Sequence, residues 1–514
     1  MKKILSILLV SVLVLSACSD EFFDINKSPN KAIEDNMTPS LVIPRAMHRM
    51  AAFSVTDYDV YLRWMGYWAR CSGTYGPNTD EEAYMLTSSF NRLSWLTMYD
   101  ILKDFDVAEK NAKLRNETAY EAMAKIMKSV GFMQLVDQYG NVPYSKAFNL
   151  SEYMLTPYDK GADIYTALIA DLEAADALLA AYTNDTELAS KNLDVAKADI
   201  MFKGMAAKWR KFGNTQRLRL VMHQTGILSA AALKAEVDKI VANGAGFLGA
   251  GETAEVQAGY VADVDKQNPY WNEYKLNDTG GLDNYNRANK YFLSLLSSMN
   301  DLRYTYFYSK AATPKHGDYV GFAMGFDYPS GTADADKDAA ANSSNVAGPG
   351  IAKSATMPQW VLPSFESLFL QAEAIQRGAL TGDAKAAYET AVKESFKWLG
   401  APDSVAVKYL SDPIKTKQVW DMNTDKLEMI MTQKYISMFG INGLETWTDY
   451  RRTGFPKELG GANPTMLSIS PNRGTNVIPL RLIYPQEEYQ YNQTNAVNEG
   501  TIDPQSQKIF WDNN

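Results

Sequence analysis

Cysteine and histidine are both scarce in this chain of 514 residues, which contains two cysteines and three histidines. The histidines, His48, His223 and His316, are far apart and lack the HExxH-type spacing of a metalloprotease. The pattern therefore gives no support for a metal centre or a histidine-dependent catalytic site. A Gly-x-Ser-x-Gly elbow, a phosphate-binding loop and a dinucleotide fingerprint are missing as well, so no cofactor is predicted.

Basic residues are fewer than acidic residues in this chain. The chain has 51 Lys and Arg against 60 Asp and Glu, a net charge of −9 with a pI near 5.2. A protein that binds nucleic-acid phosphates needs a basic surface, so a nucleic-acid partner is disfavoured, as is direct binding to anionic lipid. A hydrophobic fraction of 46% with 22% charged residues is typical of a globular protein.

Long apolar runs are missing except at the N-terminus, where the parts of an export signal follow one another. Two lysines precede an apolar run over residues 4–15, which is shorter than the about 20 residues that span a bilayer. The run ends in Leu15-Ser16-Ala17-Cys18, the pattern of a bacterial lipobox. We predict a lipoprotein signal peptide over 1–17 and lipidation at Cys18; an ordinary signal peptide cut elsewhere is the alternative. Cys71, left without a disulfide partner, is predicted to be a small buried residue, and a reactive thiol is the alternative.

Hydrophobic residues recur with helical spacing along much of the chain. Apolar stripes run through residues 163–180, 364–375, 387–399 and 426–439, and Thr118 with Glu121 predicts a capping box at the start of a further helix. One helix is expected to stop at Gly378, and the short break to residue 382 predicts an antiparallel helical hairpin. The sequence therefore predicts a mostly α protein.

Several such pairs predict hairpins of the tetratricopeptide kind, although no fixed 34-residue period is visible. We expect a single domain over 18–514, with a helical scaffold at about 38–240 and 360–455. Between about 245 and 360 the sequence is rich in Gly, Asn, Asp and aromatic residues, and residues 328–350 nearly lack apolar side chains. Because such long stretches in compact domains are usually functional or disordered, residues 245–360 are predicted to form the ligand side.

One acidic stretch in this region has the spacing that opens a calcium loop, Asp334-x-Asp336-x-Asp338. Ala339 stands where that loop needs glycine, and Asn345 stands where it needs the closing glutamate. We interpret the stretch as a solvated acidic loop, and no metal site is predicted.

Five sequence motifs are spread from one end of the chain to the other. They are Asp24-Ile-Asn26-Lys-Ser-Pro29-Asn30; Asp137-Gln-Tyr139-Gly140-Asn141-Val142-Pro143-Tyr144-Ser145; Pro157-Tyr158-Asp159 with Ile164-Tyr165; Gln433-Lys434-Tyr435 with Glu445-x-Trp447-x-Asp449-x-Arg451-Arg452-Thr453-Gly454-Phe455-Pro456; and Arg481-x-x-Tyr484-Pro485-x-x-Glu488-x-x-x-Asn492 before Phe510-Trp511-Asp512. Their order, together with the lipobox, resembles the SusD/RagB family of lipid-anchored nutrient-binding proteins of Bacteroidota. The acidic residues directly behind Cys18 resemble the surface-export tag of lipoproteins from these bacteria.

The resemblance implies a mostly α, SusD-like fold with tetratricopeptide-like helical hairpins and long loop-rich insertions. It also implies a protein anchored in the cell outer membrane and facing the exterior, as a lid on a SusC-like TonB-dependent transporter. Members deliver oligosaccharides, or in some cases peptides, to that channel. They bind without cleaving, so no enzymatic activity is expected.

Two of the motifs are interpreted as structural. Asp137 to Pro143 fits a helix end, because Gly140 suits the left-handed cap position and Pro143 blocks continuation. Arg451 and Arg452 follow a helical stretch and are expected to shape the fold rather than to contact a ligand.

Sugar recognition needs flat aromatic faces and polar groups for the hydroxyls. Three clusters have this composition, and we name their members as candidate ligand contacts on that basis alone. They are Trp271, Asn272, Tyr274, Tyr285 and Arg287 in the first cluster, Tyr319 and Tyr328 in the second, and Tyr75 and Tyr84 in the third.

Four functions remain open from the sequence. The first is binding of an oligosaccharide, and the second is binding of a peptide or another nutrient on the same scaffold. The third is a surface glycoside hydrolase, which needs a pair of carboxyl groups about 5–9.5 Å apart in the cleft. The fourth is a lid for the transporter with no ligand affinity of its own.

Overall fold

The computed structural model describes residues 37–277 and 279–514. The predicted signal peptide, the lipidation at Cys18 and the motif at residues 24–30 lie outside the described residues.

Twenty α-helices and four short strands lie in the described part of the chain, and none of these helices is long and apolar enough to cross a membrane. The helices are α1 (Pro39–Thr56), α2 (Asp59–Trp64), α3 (Thr79–Glu82), α4 (Arg92–Arg115), α5 (Thr118–Tyr139), α6 (Gly161–Asn184), α7 (Thr186–Lys191), α8 (Val195–Ala198), α9 (Ala206–His223), α10 (Ala230–Val241), α11 (Pro269–Tyr274), α12 (Lys290–Ser298), α13 (Tyr304–Phe307), α14 (Ser364–Gln376), α15 (Ala384–Trp398), α16 (Asp403–Leu410), α17 (Lys426–Ser437), α18 (Gly443–Thr453), α19 (Gln486–Tyr491) and α20 (Gln493–Asn498). The strands are β1 (Trp68–Arg70), β2 (Ala254–Val256), β3 (Asn286–Ala288) and β4 (Gln359–Leu362).

The long helices pack side by side in one continuous series. Helix α1 packs on α4, α4 on α5, α5 on α6, α6 on α9, α9 on α14, and α14 on both α15 and α17. Consecutive partners such as α4 with α5 and α14 with α15 are joined by short turns and form helical hairpins. The predicted mostly α fold with hairpins of this kind is confirmed.

Two glycines end helices where the sequence predicts an end. Gly140 follows α5 with a φ of +78°, and Gly378 follows α14 with a φ of +73°, a region that side chains with a Cβ rarely adopt. The next helix, α15, is capped by Asp383, whose carboxylate accepts a hydrogen bond from the Ala386 amide at 3.1 Å. The predicted hairpin of α14 and α15 is therefore confirmed.

The start of α5 differs from the prediction. Thr118 is the first residue of the helix, Glu117 is its N-cap, and no side-chain capping bond forms there. Instead, the Asn192 side chain accepts a hydrogen bond from the Ala119 amide at 2.8 Å. The predicted capping box is wrong, because a residue 73 positions away satisfies the free amide.

The strands organise the loop-rich region. Strand β2 pairs antiparallel with β4, so the two ends of residues 254–362 are held together. Strand β1 pairs antiparallel with β3, with Trp68 opposite Ala288, and attaches this region to the helical part next to α2. Cys71, which directly follows β1, is buried, as predicted.

Arg451 and Arg452, near the end of α18, lie in the core. Arg452 forms ion pairs with Glu373 and Asp449, both at 2.6 Å. Arg451 donates a hydrogen bond to the backbone carbonyl of Asp137 at 2.7 Å. Both arginines are buried and join distant helices, which confirms that they shape the fold.

Candidate functional site

The pairing of β1 with β3 brings two of the predicted ligand residues together. Arg70 lies opposite Asn286, and beyond this point the Cys71 amide donates to the carbonyl of Tyr285 at 2.8 Å. The loop after β1 and the loop before β3 therefore leave the sheet side by side. The rings of Tyr75 and Tyr285 meet edge to face with their centroids 5.2 Å apart. Tyr75 is 39% exposed and Tyr285 is half-buried; we call these two residues the tyrosine pair.

Arg63, on α2, supports the tyrosine pair. Its guanidinium lies 5.5 Å from the centroid of the Tyr285 ring. It donates to Glu81 at 2.5 and 2.9 Å, to Asp59 at 2.6 Å and to the side chain of Asn286 at 2.8 Å. Burial by itself lowers the pKa of Arg63, but the charges of Asp59 and Glu81 outweigh burial and hold the pKa well above its usual range. A permanent cation therefore lies beside the ring.

A second buried arginine holds the loop that carries Tyr75. Arg70 donates to Glu82 at 3.0 and 3.2 Å and also to the backbone carbonyl of Tyr75. The Glu82 carboxylate accepts a hydrogen bond from the Asn78 amide at 3.0 Å. The Asn78 side chain accepts one from the Glu81 amide at 3.3 Å and so begins α3. A buried ion pair thus fixes the backbone of the loop that carries the exposed ring.

Two further segments cover β3. The Phe322 amide donates to the carbonyl of Ala288 at 2.9 Å, and the Ala288 amide donates to the carbonyl of Ser344 at 2.9 Å. A Cβ at Gly321 would lie 2.3 Å from the Ala288 carbonyl oxygen, so this close approach requires glycine. Strand β1 from the helical part and two other segments of the loop-rich region therefore meet at β3.

Tyr328 contacts the residues that hold the loop of Tyr75. Its ring contacts Phe326 with centroids 5.0 Å apart, and its hydroxyl accepts a hydrogen bond from the Asp338 amide at 2.8 Å. The carbonyl of Phe326 accepts from Arg70 at 3.0 Å and from Ser72 at 2.6 Å. Through Phe326, Tyr328 is therefore connected to the arginine that holds Tyr75.

Tyr84, Tyr274 and Arg287 are predicted as ligand contacts, but the structure places all three in the interior. The Tyr274 hydroxyl donates to the carbonyl of Val55 at 2.7 Å, and the Tyr84 hydroxyl accepts from the Ser468 amide at 2.9 Å. Arg287 lies in β3 and is 2% exposed. Because all three are buried, they are not exposed to a ligand; their hydrogen bonds join segments of the protein interior instead.

Trp271 and Asn272 lie half-buried on α11. This helix directs Tyr274 into the core, where its ring lies 4.9 Å from that of Trp68. The Trp271 amide donates to the side chain of Asn268, which caps the helix at 2.9 Å. Within the described residues, no hydrogen bond or ring contact joins Trp271 or Asn272 to the tyrosine pair, so their role as ligand contacts stays a prediction.

Tyr319 lies on the wall of a separate cavity of about 760 Å³, between α12, α13 and α16. Its ring meets that of Tyr304 edge to face, with centroids 4.8 Å apart. The sequence cluster around residues 319–328 is therefore divided between two places in the fold.

Sequence reasoning misses Arg63 and Arg70, the two residues that hold the site. One signal was present, because Asp59 precedes Arg63 by one helical turn and the two form an ion pair. The other partners lie in different elements and became neighbours only through folding.

The acidic stretch at residues 334–338 does not bring its carboxylates together. Asp334 pairs with Lys337 at 3.0 Å, and Asp338 pairs with His316 at 3.2 Å. Over residues 37–277 and 279–514, no group of three or more His, Cys, Asp or Glu side chains is placed to hold a metal ion.

Solved structures share this fold over nearly the whole chain. A chitin-binding SusD homologue from Flavobacterium johnsoniae has a TM-score of 0.73 and 24% identity, covering 92% of this chain and 99% of its own. SusD homologues from Bacteroides thetaiotaomicron and Bacteroides uniformis have TM-scores of 0.70 and 0.71, each at 24% identity. They cover 93% and 92% of this chain and 100% and 99% of their own. The fold is therefore that of SusD-like proteins.

The family profile described as "Starch-binding associating with outer membrane" matches residues 29–485. Because the match covers most of the sequence, the chain belongs to this SusD-like family, and the family predicted from the motifs is confirmed. No curated protein matches the chain.

Proposed function

We propose that the protein is a surface-exposed, lipid-anchored glycan-binding protein that delivers oligosaccharides to a SusC-like TonB-dependent transporter. The family is described as starch-binding and associated with the outer membrane, and one structural relative is described as chitin-binding. The observation that carries the proposal is the tyrosine pair, an exposed aromatic surface mounted on buried ion pairs.

The chemistry of the pair suits a sugar ring. The exposed face of Tyr75 offers a flat apolar surface for one side of a pyranose. Burial raises the pKa of Tyr285, and the nearby charge of Glu81 raises it further, so the hydroxyl stays protonated and donates hydrogen bonds at neutral pH. The side chain of Asn78 interacts with Tyr285 and adds an amide for sugar hydroxyls.

The two glutamates beside the tyrosine pair are held in ion pairs. A glycosidase needs one carboxyl group to donate a proton and a second across the cleft. Glu81 and Glu82, whose charges act on Tyr285, are buried and paired with Arg63 and Arg70 at 2.5 and 3.0 Å. These ion pairs engage the oxygens of both side chains, which disfavours Glu81 and Glu82 as a catalytic acid and base.

Affinity gel electrophoresis tests the proposal with the soluble protein lacking residues 1–18. The panel contains starch, glycol chitin, xylan, pectin and alginate. We expect at least one glycan to retard the protein, and Tyr75→Ala to weaken that binding about tenfold, the loss of about 1.4 kcal/mol. Tyr491→Ala is the matched control, because Tyr491 is 74% exposed on α19 and is not one of the predicted ligand contacts.

Three results would overturn the proposal. Migration unaffected by every glycan would remove its basis, and a peptide ligand would then be tested on the same protein. Equal weakening by Tyr75→Ala and Tyr491→Ala would separate binding from the tyrosine pair. Shortened glycans after incubation would show that the protein is an enzyme.

A further inference from the structure

The cavity beside Tyr319, which we call the α16 cavity, has the size and the apolar lining of a small-molecule site. It opens between α12, α13 and α16 and holds about 760 Å³, and none of its lining residues belongs to the tyrosine pair. Leu293, Val405 and the buried Tyr409 give it apolar walls. Small-molecule sites are commonly about 300–1,000 Å³ and are mostly apolar with a few polar groups.

Two tyrosine rings form a corner on the wall of the α16 cavity. Tyr304 and Tyr319 meet edge to face, with their centroids 4.8 Å apart and an angle of 89° between the rings. Both residues are half-buried, so part of each stays accessible. Within the described part of the chain, neither hydroxyl forms a hydrogen bond. Burial raises the pKa of Tyr319, so its hydroxyl keeps its proton at neutral pH and can donate to a ligand.

The charged groups of the α16 cavity balance one another. Hydrogen bonds from a backbone amide of the following turn and from Asn300 lower the pKa of Asp412, which is therefore ionised at neutral pH. Lys408, on the last turn of α16, lowers this pKa further through its positive charge. Asp301, the other acidic group of the lining, is buried and paired with Arg303 at 2.5 Å. The cavity as a whole therefore favours a ligand without net charge.

Lys408 and Asp412 offer strong hydrogen bonds to such a neutral ligand. An ammonium can only donate, whereas a carboxylate can only accept, at about four sites. Three hydrogen bonds from the protein reach Asp412, from the amides of Ile414 and Lys415 and from the side chain of Asn300. The Lys408 ammonium forms none with the residues that the structure describes. One acceptor site and the Lys408 donors are therefore open to a ligand, and hydrogen bonds to ionised groups are roughly twice as strong as neutral ones.

These groups fit the two sides of a pyranose. Its apolar face matches an aromatic ring, and each of its hydroxyls both donates and accepts, so two neighbouring hydroxyls can bind an ammonium and a carboxylate together. Ser297 and Ser404 also line the cavity and add hydroxyl groups. A wholly apolar ligand would displace water from these polar groups without replacing its hydrogen bonds, which is unfavourable. The walls therefore select an uncharged, hydroxyl-rich ligand with an apolar face.

We infer that the α16 cavity is a second saccharide site, which takes a segment of a neutral oligosaccharide. The apolar face of one sugar ring lies against Tyr304 and Tyr319, and two neighbouring hydroxyls bind Lys408 and Asp412. A uronate gains no advantage here, because its carboxylate would meet the charge of Asp412 as well as that of Lys408. The inference rests on the proposed function in that it assumes a saccharide ligand, but the residues are different.

Isothermal titration of the soluble protein lacking residues 1–18 tests the inference. Maltotriose, chitotriose and xylotriose are the neutral probes, and trigalacturonate is the charged comparison. The titrations are made with Tyr75→Ala, so that the tyrosine pair contributes little to the heat. We expect a neutral trimer to bind this variant with an affinity that is unchanged in about 1 M NaCl, where the Debye length is about 3 Å.

Two further changes on the Tyr75→Ala background test the residues of the cavity. Ser404→Trp places an indole at an exposed rim position and should weaken binding of the trimer by about tenfold or more, which is about 1.4 kcal/mol. Lys408→Met removes a donor and should also weaken it about tenfold. Val407→Trp is the matched control, because Val407 is 55% exposed on the same helix and does not line the cavity. It should bind like its parent, and circular dichroism should show the same helix content in every variant.

Three results would overturn the inference. The first is that no neutral trimer binds Tyr75→Ala. The second is that a trimer binds but neither Ser404→Trp nor Lys408→Met weakens it beyond the Val407→Trp control. The third is that trigalacturonate binds as tightly as the best neutral trimer.

The two proposals fail in different ways. Glycan binding that is lost in Tyr75→Ala and unchanged by Ser404→Trp in the otherwise wild-type protein overturns the second site and leaves the first intact. Neutral-glycan binding that Ser404→Trp removes and Tyr75→Ala leaves unchanged, both in gels and in titrations, overturns the first and leaves the second.

Discussion

His223, on α9, is buried between acidic partners. Its Nδ1 lies 2.9 Å from the Tyr165 hydroxyl and 3.5 Å from Asp137, and its Nε2 lies 3.1 Å from Glu445. Burial by itself lowers the pKa of His223, but the charges of Glu445 and Asp137 outweigh burial and raise the pKa to about 9. The imidazole is therefore protonated in the folded protein at neutral pH and carries part of the core's charge balance.

The raised pKa of His223 predicts that the stability of the folded protein depends on pH. Because an unfolded histidine has a pKa of about 6.5, protonation of His223 stabilises the fold fully below about pH 6.5, and the contribution is lost as pH rises through about 9. The difference corresponds to about 3 kcal/mol. We expect the Tm of the wild type, followed by circular dichroism, to fall between about pH 7 and pH 9.5, and that of His223→Gln to start lower and change less.

His316→Gln is the control for this measurement, because His316 is exposed and distant from the core network. It should keep the wild-type dependence on pH. Parallel curves for the wild type and His223→Gln would contradict the assignment of a protonated His223.

Among the elements, the packing of α2 against β1 and β3 depends on the buried contacts of Arg63. Arg63→Met leaves the buried Glu81 without its cation, and breaking a buried ion pair typically costs about 3–5 kcal/mol. We expect urea denaturation to show a loss of this size, and Arg63→Met with Glu81→Gln to recover part of it. Arg45→Met removes an exposed ion pair to Asp104 and should cost less than about 1 kcal/mol. Similar losses for the two arginines would contradict the role of Arg63.

Gly321, in the segment that covers β3, is a second position where a substitution should disturb the site. In Gly321→Ala the new Cβ would meet the Ala288 carbonyl oxygen at 2.3 Å, so the segment must move away from β3. We expect glycan binding at the tyrosine pair to weaken while the helix content seen by circular dichroism stays the same. Gly474→Ala, where a Cβ meets open space, should leave both unchanged. Loss of helix content in Gly321→Ala would show that the segment supports the whole fold instead.

For the whole molecule, the lipobox predicts that a lipid on Cys18 anchors the protein in the outer membrane. Cys18→Ala should abolish incorporation of a labelled fatty acid and move the protein from the outer-membrane fraction to the soluble fraction, because anchoring needs the acyl chains. Cys71→Ala is the control, since Cys71 is buried in the folded part. Outer-membrane localisation of Cys18→Ala would contradict the predicted anchor. Copurification of a TonB-dependent transporter with the anchored wild type would test the proposed partner.

Local features were predictable where nearby residues decide them. The ends of helices at Gly140 and Gly378 and the hairpin of α14 with α15 follow from periodicity and from glycine's access to positive φ. The capping of α5 was not predictable, because Asn192 comes from a distant segment. In the candidate site, Tyr75 and Tyr285 are both predictable by type, but their pairing is not, since only the register of β1 with β3 joins them.

The sequence by itself determined the family and the mostly helical fold, and it predicts an export signal, because motifs and periodicity are encoded by residues close together in the chain. Tertiary structure decided which aromatic residues face solvent. Tyr84 and Tyr274 were predicted from the same kind of aromatic and polar cluster as Tyr75, yet both are buried. Tyr319 lines a cavity that does not include Tyr285. The physical reason is that burial and charge pairing depend on contacts between distant segments, such as Arg63 with Glu81 and Asn286.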